Sequence, residues 1–339
     1  MTLSNRERFL RALQGETVDR ISVFCADQTG TYEQMEKLQA FWPEAHQKGE
    51  TMAKLAEGAY SILGFDAVRV PFCQTIEAEA LGCKVKDAGK EGIPSIDVHP
   101  YHVDDEISFP EDFLQQGRVP ELIKAVKILK ENVGDKVAVI GGIIGPYSIA
   151  TSLLGVTDFL KLSVKKPDKL IPYLDVAEQA GTELAKALIE AGADVICIED
   201  MMASMDMIST KIYQTLVAPW QKRQIEQIAV PTILHICGKL NSVMEDIAET
   251  GVTAISVEPK VEIRDALERL EKYDRHIPII GGVDAVTDLF SGEASDVKAV
   301  VKEAIKGGYS MIAPGCSIAP ATTTSNLLAM VEAAQEDEF

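Results

Sequence analysis

At 339 residues the chain exceeds the usual single-core domain but falls within the range of one α/β barrel. Apolar residues make up 46% of it, enough for a large core, yet no run of about 18 apolar residues occurs, which argues against a membrane-spanning helix. A formal charge of −19 argues against a nucleic-acid binder, which needs a basic stripe to track phosphates, and against a polyanionic substrate unless basic groups are concentrated in the cleft.

In chain order, the amino terminus is charged and amphipathic, with a capping box at Ser4 and Glu7. It lacks the apolar core of a signal peptide, so a cytoplasmic location is expected and the six cysteines should be reduced. Ile21–Cys25 is the first predicted strand; helical patterns follow through Trp42 and from about Glu44 to Leu63, and Asp66–Pro71 is the second strand. Residues 73–110 carry Gly82, Gly89, Gly92, Pro94 and Pro100 between short alternating pieces, and read as a β-rich insertion. A helix is expected over Val119–Val133, then a third strand at Val137–Ile140 that stops at Gly141-Gly142. A helical pair spans roughly Ser148–Leu188 before the fourth strand, Asp194–Glu199. A helix from about Ser209 to Ile228 leads to the fifth strand, which rises from Pro231 and ends at Gly238. Strands six, seven and eight are expected at Ala254–Glu258, Ile277–Gly281 and Tyr309–Ala313, with helices between them and after the last. Eight strands separated by helices predict a single (β/α)8 TIM barrel over residues 1–339, with the insertion at about 73–110. A doubly wound sheet fits less well, because no GxGxxG follows the first strand.

Barrel chemistry lies at the carboxyl ends of the strands. In an extended strand residues i and i+2 share a face, so His235 and Cys237 project together. The end of strand six delivers Glu258, and Cys316 follows strand eight. Two thiolates, one imidazole and one carboxylate can close a tetrahedron around Zn2+. A strand-end carboxylate can equally face substrate or the neighbouring Lys260. Pro100 argues against a metal pair at His99 and His102, which read as a surface loop. The methionines at 201, 202, 205 and 207 fit a helical core, or a soft rim for a large flat ligand. With Glu258 bound, the zinc complex carries one negative charge. A thiol that loses its proton and displaces Glu258 leaves that charge unchanged, which suits alkyl transfer to sulfur.

His235-Ile236-Cys237-Gly238, Glu258 and Ala313-Pro314-Gly315-Cys316, with Trp42–His46 and Ala67–Pro71 upstream, resemble the methylcobamide:coenzyme M methyltransferases, which are uroporphyrinogen decarboxylase-like barrels. The resemblance covers nearly the whole chain. It implies zinc held by His235, Cys237 and Cys316, with Glu258 the ligand that yields to substrate. It further implies a methylated corrinoid protein as the methyl-donor partner and coenzyme M as the small thiol acceptor. The loops carrying Gly281-Gly282 and Gly315–Ser317 are expected to receive an anion such as its sulfonate. Homocysteine, as in a core methionine synthase, is the rival acceptor, and a non-enzymatic corrinoid- or zinc-binding module the remaining class. Uroporphyrinogen decarboxylase activity fits poorly, because Arg20–Gly30 lacks an internal arginine pair and decarboxylation needs no zinc.

Overall fold

The computed structural model describes residues 2–336. Ten strands are present among the described residues: β1 (Ser22–Val23), β2 (Ala67–Val70), β3 (Lys84–Lys86), β4 (Ser95–Val98), β5 (Ala138–Ile144), β6 (Val195–Glu199), β7 (Thr232–Ile236), β8 (Ala254–Val257), β9 (Ile279–Val283) and β10 (Met311–Pro314). Eight of them form one parallel sheet in the order β1-β10-β9-β8-β7-β6-β5-β2. The two ends of that sheet meet where the Asp66 amide donates to the Val23 carbonyl at 2.8 Å, which nearly closes a TIM barrel. Parallel strands are covered on both faces, and seven of the eight are buried along their whole length.

Period-2 alternation sorts the barrel interior into layers. Ala67, Ala138, Ile140, Val195, Ile233, Ala254, Ile280 and Met311 fill the lower part with apolar atoms. The helix Asn5–Leu13, started by the Ser4–Glu7 capping box, plugs the bottom, and Phe9 meets Phe24 edge-on at 4.8 Å. Two residues further along their strands the inward positions become polar: Arg69 on β2, Glu199 on β6, His235 on β7 and Ser256 on β8. The mouth of the barrel is therefore a polar layer on an apolar plug.

The third predicted strand does not stop at Gly141-Gly142; β5 runs through to Ile144. Gly142 is an inward position, and a Cβ there would collide with the Arg69 guanidinium. The glycine makes room for a buried cation rather than ending a strand. Gly281 and Gly282 likewise lie inside β9, at φ of 149° and 96°. A Cβ would meet the Val257 carbonyl at the first and Ala304 at the second, so close packing selects both. They do not form the anion-binding loop expected of them. The predicted helix over 44–63 is three short helices, Glu44–Gln47, Gly49–Ala56 and Gly58–Ser61, because Lys48 is extended (φ −123°, ψ 127°). The stretch 73–110 holds one short helix, Ile76–Ala80, and the antiparallel β3–β4 hairpin, so it is less β-rich than its sequence suggests. No helix among the described residues is long and apolar enough to cross a membrane.

Candidate metal centre

The register across β6, β7 and β8 sets Glu199, His235 and Ser256 side by side. His235 Nδ1 is 3.0 Å from the Ser256 hydroxyl, which fixes the ring and leaves Nε2 facing the mouth. Nε2 lies 3.2 Å from Cys237 Sγ, and Cys237 Sγ lies 3.6 Å from Cys316 Sγ. The three donor atoms all fall within 4.8 Å of one another. Tetrahedral zinc with ordinary bond lengths sets its donors about 3.6 Å apart for N–S and about 3.8 Å apart for S–S. The triangle therefore has the size and the donor chemistry of a zinc site.

The hydrogen bond between the two sulfurs draws the Cys316 thiol below its ordinary range against the cost of burial and pushes Cys237 upward. A cation entering the triangle would replace a thiol proton there. Burial alone would lower the pKa of His235, but the nearby Asp27 and Cys316 outweigh it and raise it.

Of the four residues the sequence nominates, the fold brings three together. Glu258 stands just beyond β8, largely shielded, and pairs with Lys260 Nζ at 2.9 Å. Ser256 and Asp27 are the members that sequence reading misses. Asp27 Oδ2 sits 3.2 Å from His235 Nε2 although Asp27 follows the first strand. The signal for Ser256 was the same i, i+2 spacing, two residues before Glu258 on an inward-facing strand position.

A cavity of about 450 Å³ is lined by Gln28 and Ser317, the chain neighbours of Asp27 and Cys316, and by Phe72, Ile96, Met201 and Met202. Met201 and Met202 belong to this apolar wall, whereas Met207 is exposed. His99 also reaches the wall, with Nδ1 2.7 Å from the Ser152 carbonyl. In the floor, Arg69 pairs with Glu199, and Gln74 donates to the other Glu199 oxygen at 2.6 Å.

A nearly closed parallel barrel with a His–Cys–Cys triangle at its mouth defines a barrel protein of the uroporphyrinogen decarboxylase type with a donor set suited to a metal ion. The family model for uroporphyrinogen decarboxylase (URO-D) matches residues 4–336, and the chain belongs to that family. Within it, the chain is 39% identical to the methylcobamide:CoM methyltransferase MtaA of Methanosarcina barkeri, over 98% of this chain and 97% of the relative. It is also 39% identical to the methylcobamide:CoM methyltransferase MtbA of Methanosarcina mazei, with 98% of each chain covered. A solved methyltransferase from Methanosarcina mazei superposes with a TM-score of 0.94 at 38% identity, over 98% of this chain and 99% of that one.

Proposed function

We propose that this enzyme transfers a methyl group from a methyl-Co(III) corrinoid, carried on a partner protein, to the thiol of coenzyme M at a zinc ion held by His235, Cys237 and Cys316. The observation that carries the reading is the convergence of these three donors in a chain 39% identical, end to end, to methylcobamide:CoM methyltransferases. Zinc in this position supplies a Lewis acid that keeps a thiol deprotonated while leaving electron density on its sulfur.

The chain's residues divide the remaining work. Ser256 accepts the Nδ1 proton of His235 and so keeps Nε2 free to ligate. Glu258 would be the exchangeable oxygen donor; with its carboxylate on Lys260 when a thiolate holds the metal, the buried charge would not grow. The acceptor sulfur then attacks the methyl carbon; the S–C bond forms while the Co–C bond breaks, and its electron pair stays on cobalt as Co(I). The apolar wall of Phe72, Ile96, Met201 and Met202 faces the corrinoid and limits water at the reacting carbon.

The rival acceptor, homocysteine, also needs a partner for its ammonium. The acidic group in the cavity floor, Glu199, is already held by Arg69 and Gln74. The test is anoxic demethylation of methylcobalamin with a panel of thiols, followed by the absorbance of cob(I)alamin. Coenzyme M should outrun homocysteine by about 5- to 150-fold, the effect of one unpaired buried polar group at about 1–3 kcal/mol. Equal or faster turnover with homocysteine overturns the acceptor while leaving the metal site standing.

A further inference from the structure

An anionic acceptor that enters the cavity meets one cation, because Arg69 is the only lysine or arginine among the described residues that line it. The side chain is 1% exposed. Its Nη1 donates to the Pro71 carbonyl, Nη2 pairs with Glu199, and Nε has no hydrogen-bond partner. Glu199 does not depend on Arg69 alone, since Gln74 donates to its second oxygen at 2.6 Å. Gly142, with no Cβ, leaves the space in which the guanidinium lies. Burying a cationic donor without a partner is costly, and such a group persists where it meets an anion.

The position of Arg69 suits a short acceptor. Glu199 and His235 are partners in the ladder between β6 and β7, and adjacent strands lie about 4.8 Å apart. Arg69 touches Glu199, so it stands one side chain away from a donor of the triangle. In coenzyme M two methylenes separate the thiol from the sulfonate, a span comparable to one side chain. We propose that Arg69 is the anion receptor of the acceptor site, binding the sulfonate of coenzyme M through Nε. This rests on the coenzyme M reading above. Nε and Nη2 form one edge of the guanidinium fork, and an oxyanion fits that edge. The sulfonate therefore shares Nη2 with Glu199, which keeps its bond from Gln74. In a chain of net charge −19, one cation in the cavity selects among thiols, because an uncharged thiol gains nothing from it.

The test measures methyl transfer from methylcobalamin to coenzyme M and to 2-mercaptoethanol, which has the same two-carbon chain with a hydroxyl in place of the sulfonate. The readout is the ratio of the two kcat/KM values, which a purely structural defect leaves unchanged. The ratio should fall roughly 10- to 100-fold in Arg69→Gln, the effect of one hydrogen bond between charged groups. It should rise roughly 5-fold in Glu199→Gln, where the sulfonate no longer shares Nη2 with a carboxylate. Calorimetry with methyl-coenzyme M, the product, should show roughly 10-fold weaker binding to Arg69→Gln than to wild type. An unchanged ratio or an unchanged product affinity in Arg69→Gln overturns the proposal. So does a ratio that stays or falls in Glu199→Gln, which decides alone if Arg69→Gln does not fold. A wild type that prefers homocysteine sinks the coenzyme M reading itself, a result seen before any variant is compared.

Discussion

Two halves of the barrel mouth are equally buried and differ in how their polar groups are satisfied. On the β2–β5–β6 side the acids are held by several partners. Asp200 accepts from the Ser148 amide at 2.8 Å, the Ser148 hydroxyl at 2.7 Å and Gln221 at 2.9 Å. Glu77 accepts from the Ile144 amide at 2.7 Å, and Glu199 is held by Arg69 and Gln74. On the β1–β7–β10 side, Asp27 has no hydrogen bond, and the two cysteines bond to each other and to one imidazole. Burial is common to both halves and so cannot distinguish scaffold from site. Unmet bonding capacity can, because groups held in readiness for a ligand are those the protein itself leaves unpaired.

The comparison breaks first at the metal. Cys237→Ser and Cys316→Ser should each lose most of one zinc per chain in elemental analysis, with methyl transfer falling beyond the roughly 100-fold expected when only a hydrogen bond to a ligand is lost. Cys83→Ser, whose buried thiol donates to the Ser152 carbonyl, should retain the metal. Full zinc in both serine variants at 237 and 316 would remove the distinction between the halves.

On the saturated side the effect should fall on stability. Asp200→Ala strands three buried donors at about 1–3 kcal/mol each, so urea unfolding should show a loss of about 4 kcal/mol. Any of the variant that folds should keep its zinc. Loss of metal without loss of stability would mean that Asp200 belongs to the other half.

Glu77 gives this side a pH signature. Burial raises its carboxyl to about 7, against partial relief from the Ile144 amide. The folded protein then binds a proton that the unfolded chain has released, so this contribution to stability is complete below about pH 4.5 and is lost as pH rises toward 7. The swing is at most about 3 kcal/mol, and Glu77→Gln should flatten that part of the stability–pH curve. A profile unchanged by the substitution would show that Glu77 does not titrate in this window.

The smallest effect should come from Ser256→Ala. It leaves all metal donors in place but frees the His235 ring, so zinc affinity should fall by about 10-fold with little change in urea midpoint. Unchanged affinity would show that β7 alone fixes the ring.

Sequence by itself determined whatever depends on local backbone geometry. The alternation of short strands and helices specified the barrel, and the two-residue period put His235 and Cys237 on one face. Glu258 beside Lys260 was legible as two possibilities, and the ion pair between them is what the fold shows. Which residues meet across the barrel was decided only by tertiary structure. Cys316 reaches Cys237 because closing the sheet brings the end of β10 opposite that of β7, and Asp27 reaches His235 because its loop is clamped to Ile318. The roles of Gly142, Gly281 and Gly282 were hidden for the same reason: a glycine's sequence neighbours show that a turn is possible, but the Arg69 guanidinium, the Val257 carbonyl and Ala304 that need its missing Cβ come from other strands and helices. Local periodicity is set within a few residues of chain, whereas ligand convergence is set by how the whole sheet closes.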